Sequence, residues 1–271
     1  MRRCPPRYLA ASTFAIAALA AAAMLAPERG LAQQGQPQLL PLKPPPAAPI
    51  KPFAAVAATP PGPYGDPSFQ AFRAQLAEVA AHKDRAALAK LVVAQGFFWI
   101  QDKDRADPHK SGVDNLAKAI DLGAQDGSGW DTVSAFASDP TGAELPEHKG
   151  IICAPADPAI DPKAFQALAA ATQTDPSDWG YPLKDGIEVR AAAQPNAPVI
   201  EKLGTNLVRV LPDQSPQDNP NQPAFLRVAT PSGKSGYIAM DAIAPLGGDQ
   251  MCYSKDAGGW KIAGYLGGAS Q

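Results

Sequence analysis

Cys153 and the three histidines, His82, His109 and His148, are the side chains whose types open the widest range of chemistry. A zinc site needs ligands repeated at short, fixed spacing, and none of the histidines stands four residues from another. His148 lies five residues before Cys153, which raises a Cys/His nucleophile pair. A reactive thiol, however, is expected at a helix N-terminus or beside a cation, where its pKa falls. Cys153 instead follows Ile151 and Ile152 in an expected strand. The aspartates Asp102, Asp104 and Asp107 alternate with Lys103, Arg105 and Lys110 and lack the central glycine of a calcium loop, so they read as a solvated loop. There is no Gly-x-Ser-x-Gly elbow, no phosphate-cradling glycine loop and no dinucleotide fingerprint. The sequence therefore predicts no catalytic residue, no metal site and no cofactor.

The N-terminus reads as an export signal. Arg2, Arg3 and Arg7 precede an apolar run from Leu9 to Ala26, and Gly30-Leu31-Ala32 supplies the small residues of a cleavage site between Ala32 and Gln33. The alternative is an uncleaved anchor, since the run approaches the length of a span; its alanine content makes it weakly hydrophobic. Cleavage removes Cys4 and leaves Cys153 and Cys252, which in an oxidising compartment read as a disulfide. It also removes four arginines against one glutamate, so the mature chain is more acidic than the formal −2 of the whole. That balance excludes the electrostatic footprint of a nucleic-acid binder and offers nothing to an anionic membrane surface. Contact with membrane is expected only through the signal segment before cleavage, and the expected location is periplasmic or secreted.

Proline is the compositional outlier, 30 of 271 residues, roughly twice the usual share. Much of it falls in residues 33–65, read as an extended or disordered spacer after the signal at 1–32. Order is expected from Asp66, where Asp66-Pro67 caps a helix whose apolar face is Phe69, Phe72, Leu76 and Val79. Asp84 caps a second helix through Leu88 and Leu91. Phe97 to Ile100 reads as a buried strand, residues 111–123 as a helix, Gln125 to Trp130 as a turn, and Thr132 to Ala137 as a strand. Gly150 to Ala154 reads as a strand and Asp161-Pro162 starts another helix. Residues 66–178 are thus expected to form a helix-rich α+β domain.

From 179 the pattern changes. Ile187–Arg190, Val199–Leu203, Leu207–Leu211, Phe225–Thr230 and Tyr237–Ala239 are short runs rich in branched residues, divided by turn residues. The tail at 248–271 carries two further runs around Asp256-Ala257-Gly258-Gly259, a hairpin signal.

Val189-Arg190, the cluster Pro195 to Leu203, and Gly233-Lys234-Ser235-Gly236-Tyr237-Ile238 resemble the opening strand, second strand and Gly-x-x-Gly-Tyr-Val turn of bacterial SH3-like (SH3b) domains. Glu188 and Phe225 stand where that family usually has Asn and Trp. The wider arrangement is similar to exported proteobacterial proteins ending in a hairpin such as Gly258 to Gly268. The resemblance implies an SH3-like barrel over 179–247 between the helix-rich domain and the C-terminal hairpin. It further implies a non-enzymatic cell-envelope binding or scaffolding role, engaging a peptidoglycan peptide or an envelope protein, with Trp179, Tyr181 and Tyr237 as candidate ligand aromatics. The competing expectation is a small-ligand or enzymatic pocket in the helix-rich half, around Phe97 to Trp99 and Trp130; an open cavity with convergent polar groups would distinguish it.

Overall fold

The computed structural model describes residues 50–212 and 224–267. The expected signal segment, its cleavage at Ala32 and Gln33, and the spacer up to residue 49 lie outside the described residues.

The first strand, β1 (Ala58–Thr59), is followed by helix α1 (Pro67–Ala81). Asp66 caps α1 by accepting from the Ser68 N–H, with Pro67 at the first helical position, where its missing donor costs nothing. The buried positions Phe69, Phe72, Leu76 and Val79 recur at helical spacing as the sequence predicts. Helix α2 (Arg85–Leu91) starts on the Asp84 cap, and β2 (Phe98–Ile100) follows. Helix α3 (Gly112–Ala119) is capped by Ser111. Next comes α4 (Ser128–Ser138), a helix where the sequence reading expects a turn and a strand. The apolar residues Trp130, Val133, Phe136 and Ala137 are buried at helical spacing along it, and a reading that starts at Thr132 loses the first of them.

β3 (Ala143–Glu144), β4 (Ile151–Ala154) and β5 (Ala159–Ile160) lead to α5 (Pro162–Thr172), capped by Asp161 as expected. The remaining strands are β6 (Trp179–Pro182), β7 (Ile187–Arg190), β8 (Val199–Leu203), β9 (Val208–Val210), β10 (Phe225–Ala229), β11 (Ser235–Ala239), β12 (Ile243–Pro245), β13 (Gln250–Asp256) and β14 (Gly259–Leu266).

The expected architecture, a helix-rich half followed by a small SH3-like barrel and an appended hairpin, is overturned. The described residues are mixed α/β, with five helices and three sheets, about 28% of them helical and 30% strand. The expected strands of the second half do form, as β7 to β11, but within a seven-stranded sheet of order β12-β6-β9-β10-β11-β7-β8. The hairpin β13–β14 is not a tail. It supplies the middle of a five-stranded sheet of order β2-β14-β13-β4-β3, with β14 parallel to β2 and β13 antiparallel to β4. The physical reason is burial. The faces of α1 to α4 and the short strands β2 and β4 leave a core that they cannot close. Met251, Tyr253, Trp260, Ile262 and Tyr265 of the hairpin join Phe69, Leu76, Leu88 and Val133 in one apolar cluster.

Residues 50–65 correct the spacer reading too. They run along the body as a strap. The Phe53 N–H donates to the Pro231 carbonyl at 3.1 Å, Ala58 N–H to Thr205 at 2.7 Å, and Leu207 N–H to Val56 at 2.9 Å. β1 pairs antiparallel with β5, Val56 and Ala58 are buried, and Tyr64 packs edge-on to Phe69. Proline content signals extended backbone, and here an extended chain lies against other elements rather than in solvent.

Cys153 and Cys252 form a disulfide between β4 and β13.

Candidate ligand cleft

The loop after β2 folds by local polar contacts rather than lying open. Asp104 Oδ1 accepts from the N–H groups of Trp99 (3.0 Å) and Ala106 (2.9 Å). The Arg105 N–H returns to the Trp99 carbonyl. Asn115, buried on α3, accepts from the Asp107 N–H at 2.8 Å and donates to the Asp107 carbonyl at 3.0 Å. A backbone segment bonded on both its N–H and its C=O is fixed in place. The charged alternation at 102–110 is thus a shaped loop, which sets Arg105 beside Trp99.

This loop, α3, α4 and the end of β14 enclose an open cleft of about 870 Å³. Trp99 is half-buried, and its indole N–H donates to the Gly267 carbonyl at 2.8 Å, which fixes the ring. The Lys118 ammonium stands 5.8 Å from the Trp99 ring centroid, a cation–π arrangement. Arg105 also faces the cleft, its one ion pair among the described residues being an exposed 3.8 Å contact to Asp102. Such an exposed pair holds its partners weakly, so the guanidinium can turn to a ligand. Asp121 and Asp249 bring negative charge to the same cleft, and Phe136 and Tyr265 form an apolar wall, edge-on at 5.9 Å. The Tyr265 hydroxyl donates to Asp249 Oδ2 at 2.7 Å. Burial first, and then the Asp249 carboxylate, push its pKa far up, so it stays a neutral donor.

Of the residues expected around a pocket in the first half, only Trp99 lines the cleft; Phe97 and Trp130 are buried core. Trp179 is fully buried, edge-on to Phe53 and Phe165, with its indole N–H given to Thr174 Oγ1 at 2.8 Å. Tyr237 is half-buried on β11, opposite Arg190 of β7. Tyr181 is buried and lines a second, smaller pocket. His82 is exposed beside Glu78, and His148 stacks on Phe98 with centroids 5.0 Å apart. Cys153 is committed to the disulfide, which closes the Cys/His reading. Sequence reasoning missed Lys118, Asp121, Asp249 and Tyr265. Lys118 and Asp121 sit at the end of a helix that was read only for its apolar face. Asp249 and Tyr265 lie just before and on the hairpin β13–β14, in which the sequence shows strands and a turn but no site residue.

Among the described residues no cluster of three or more His, Cys, Asp or Glu side chains could hold a metal ion, and no helix is long and apolar enough to cross a membrane. No family model, curated protein or solved structure matches the chain.

Proposed function

We propose that this chain is an exported, non-enzymatic binding protein of the cell envelope, which takes a peptide of mixed charge in the cleft beside Trp99. The observation that carries the reading is the convergence there of Arg105 and Lys118 with Asp121 and Asp249 around a fixed indole. Two cations suit a carboxylate, the aspartates suit an ammonium or amide, and Trp99 with Phe136 supplies apolar contact. A few placed polar groups against an apolar wall is the usual make-up of a ligand site. The export signal and the disulfide support an oxidising location outside the cytoplasm. Cell-wall cross-linking peptides, which carry free carboxylates and amines, are the first ligands to try.

Tryptophan fluorescence tests the reading. Trp130, Trp179 and Trp260 are buried, so a ligand entering the cleft should act on Trp99. Soluble cell-wall peptides should change the emission saturably. The change should vanish in Trp99→Phe and weaken in Arg105→Ala and Lys118→Ala. The mature protein should also pellet with purified peptidoglycan. If those peptides leave the emission unchanged and no protein pellets, the reading is wrong.

A further inference from the structure

The second pocket, about 350 Å³, lies where Pro60 and Pro61 of the strap meet the start of β13, the ends of β4 and β6, and β12. Its walls are short of hydrogen-bond donors. Pro60, Pro61, Pro155 and Pro245 have no N–H to give. Thr141 donates both its N–H (2.8 Å) and its hydroxyl (2.5 Å) to Asp139 Oδ1, and its oxygen accepts from the Ala156 N–H. Gln250 Nε2 donates to the Pro155 carbonyl at 2.7 Å. Among the described residues no lysine, arginine or histidine lines the pocket.

What remains is acceptors. Asp139, Asp157 and Asp249 all reach the lining. Neither Asp139 nor Asp157 has an ion-pair partner among the described residues. Tyr181 adds an independent observation. The residue is only 4% exposed, with its ring in the apolar cluster of Trp179 and Leu207, yet its hydroxyl has no hydrogen-bond partner among the described residues. The hydroxyl opens on the pocket that the residue lines, where a ligand can reach it. Burial raises the Tyr181 pKa, and the Asp157 and Asp139 carboxylates raise it further. Burial also raises Asp157, against the opposing effect of the Gln250 amide. The local field is negative, and among the described residues no cation pairs with Asp139 or Asp157.

We infer that this proline-walled pocket binds a primary ammonium on an aliphatic stem, as carried by a lysine side chain or a linear diamine. The ammonium has three donors and no acceptor, which matches a lining rich in carboxylates and without a cation among the described residues, where the Tyr181 oxygen can also accept. The stem lies against the prolines, Leu183 and Ala244, and the volume suits a chain of a few methylenes. The site stands apart from the Trp99 cleft in its chemistry and does not depend on that cleft being occupied, although Asp249 borders both.

The test is calorimetric titration of the purified protein with Nα-acetyl-lysine methylamide and with 1,5-diaminopentane, each against an uncharged analogue (Nα-acetyl-norleucine methylamide and pentanol). At least one amine should bind saturably, and its uncharged analogue at least tenfold more weakly. Asp157→Asn should weaken the amine about tenfold, as expected for loss of a charge-assisted hydrogen bond, and Tyr181→Phe should weaken it measurably. Trp99→Phe should leave it unchanged, which separates this site from the larger cleft. Either amine binding more tightly than the other supports the site and tells which source it serves. Absence of saturable amine binding to the wild-type protein, equal binding of an uncharged analogue, or full affinity in a folded Asp157→Asn overturns the inference.

Discussion

Cys153 on β4 and Cys252 on β13 stand directly opposite one another in the five-stranded sheet, with Cα atoms 4.0 Å apart at a sequence separation of 99. Everything from β5 to β12, the whole seven-stranded sheet included, is an excursion within the loop this bond closes. Both half-cystines are buried. The β4–β13 ladder has its own backbone pairing, so the bond is expected to act mainly on the unfolded chain. For a loop of this size the chain-entropy model gives ~4–5 kcal/mol. A Cys153→Ala/Cys252→Ala variant should therefore melt on the order of 10 °C lower, at ~2–4 °C per kcal/mol for a domain of this size. The oxidised protein without residues 1–32, and so without Cys4, should resist thiol labelling when denatured and gain two labelled sites after reduction. Labelling of both cysteines without reductant counts against the bond.

The disulfide also shows what could be read from sequence. Setting Cys4 aside with the expected export signal leaves two cysteines, which suffices to pair Cys153 with Cys252. Helix caps were equally legible, because Asp66-Pro67, Asp84 and Asp161-Pro162 act within one turn. The strands β7 to β11 were visible as runs of branched residues. Which sheet a strand joins depends on contacts across many residues, and neither β13–β14 between β2 and β4 nor β6 and β12 at the edge of the larger sheet leaves a local mark. The cleft suffered likewise. Trp99 was named from sequence, but Lys118 and Tyr265 reach it from α3 and β14, elements that meet only in the folded chain.

Gly264 lies opposite Phe98 where β14 runs parallel to β2. A Cβ at 264 would stand 2.3–2.5 Å from three atoms of the Phe98 ring, and that ring already stacks on His148. Gly264→Ala should cost ~1–3 kcal/mol by overpacking. In a Phe98→Ala background the same change should cost much less, since the clashing atoms are gone, and the difference should appear as a coupling energy of ~0.5–3 kcal/mol in urea titrations. Equal costs in both backgrounds would place the strain elsewhere.

Asp66 ties the start of α1 to β13. Its Oδ2 accepts from the Lys255 ammonium at 2.9 Å, and its Oδ1 from the Ser68 N–H and hydroxyl. The Lys255 contact first, then Ser68, hold its carboxyl at about 2, below the ordinary 3.8. A depressed carboxylate stabilises the folded chain fully above its unfolded pKa, and the contribution is lost as pH falls toward the folded value. Asp66→Asn, which keeps a capping oxygen but not the charge, should melt below wild type by a constant margin above about pH 5. The margin should close between about pH 4 and pH 2 and shrink in high salt. A margin that does not change with pH would assign the effect to the cap alone.

Tyr253 offers the opposite case, a polar atom whose removal should help. The residue is fully buried on β13, its ring edge-on to Phe69 and Phe72 with centroids at 4.9 and 5.8 Å. Its hydroxyl has no hydrogen-bond partner among the described residues, nor do Nε and Nη1 of the nearby Arg73. Burial pushes the phenol far up its pKa scale, with Arg73 pulling it back only in part, so no phenolate forms to pair with the guanidinium. An unsatisfied buried polar atom costs ~1–3 kcal/mol, while the ring contacts survive a change to phenylalanine. Tyr253→Phe should therefore hold or raise the urea midpoint, by up to that amount. Tyr253→Ala should lose ~3–5 kcal/mol, because the ring and its neighbours' contacts go together. A Tyr253→Phe variant less stable than wild type by more than ~1 kcal/mol would mean that the hydroxyl is satisfied in solution, and that Arg73 and Tyr253 form a polar pair rather than two unmet groups in one core.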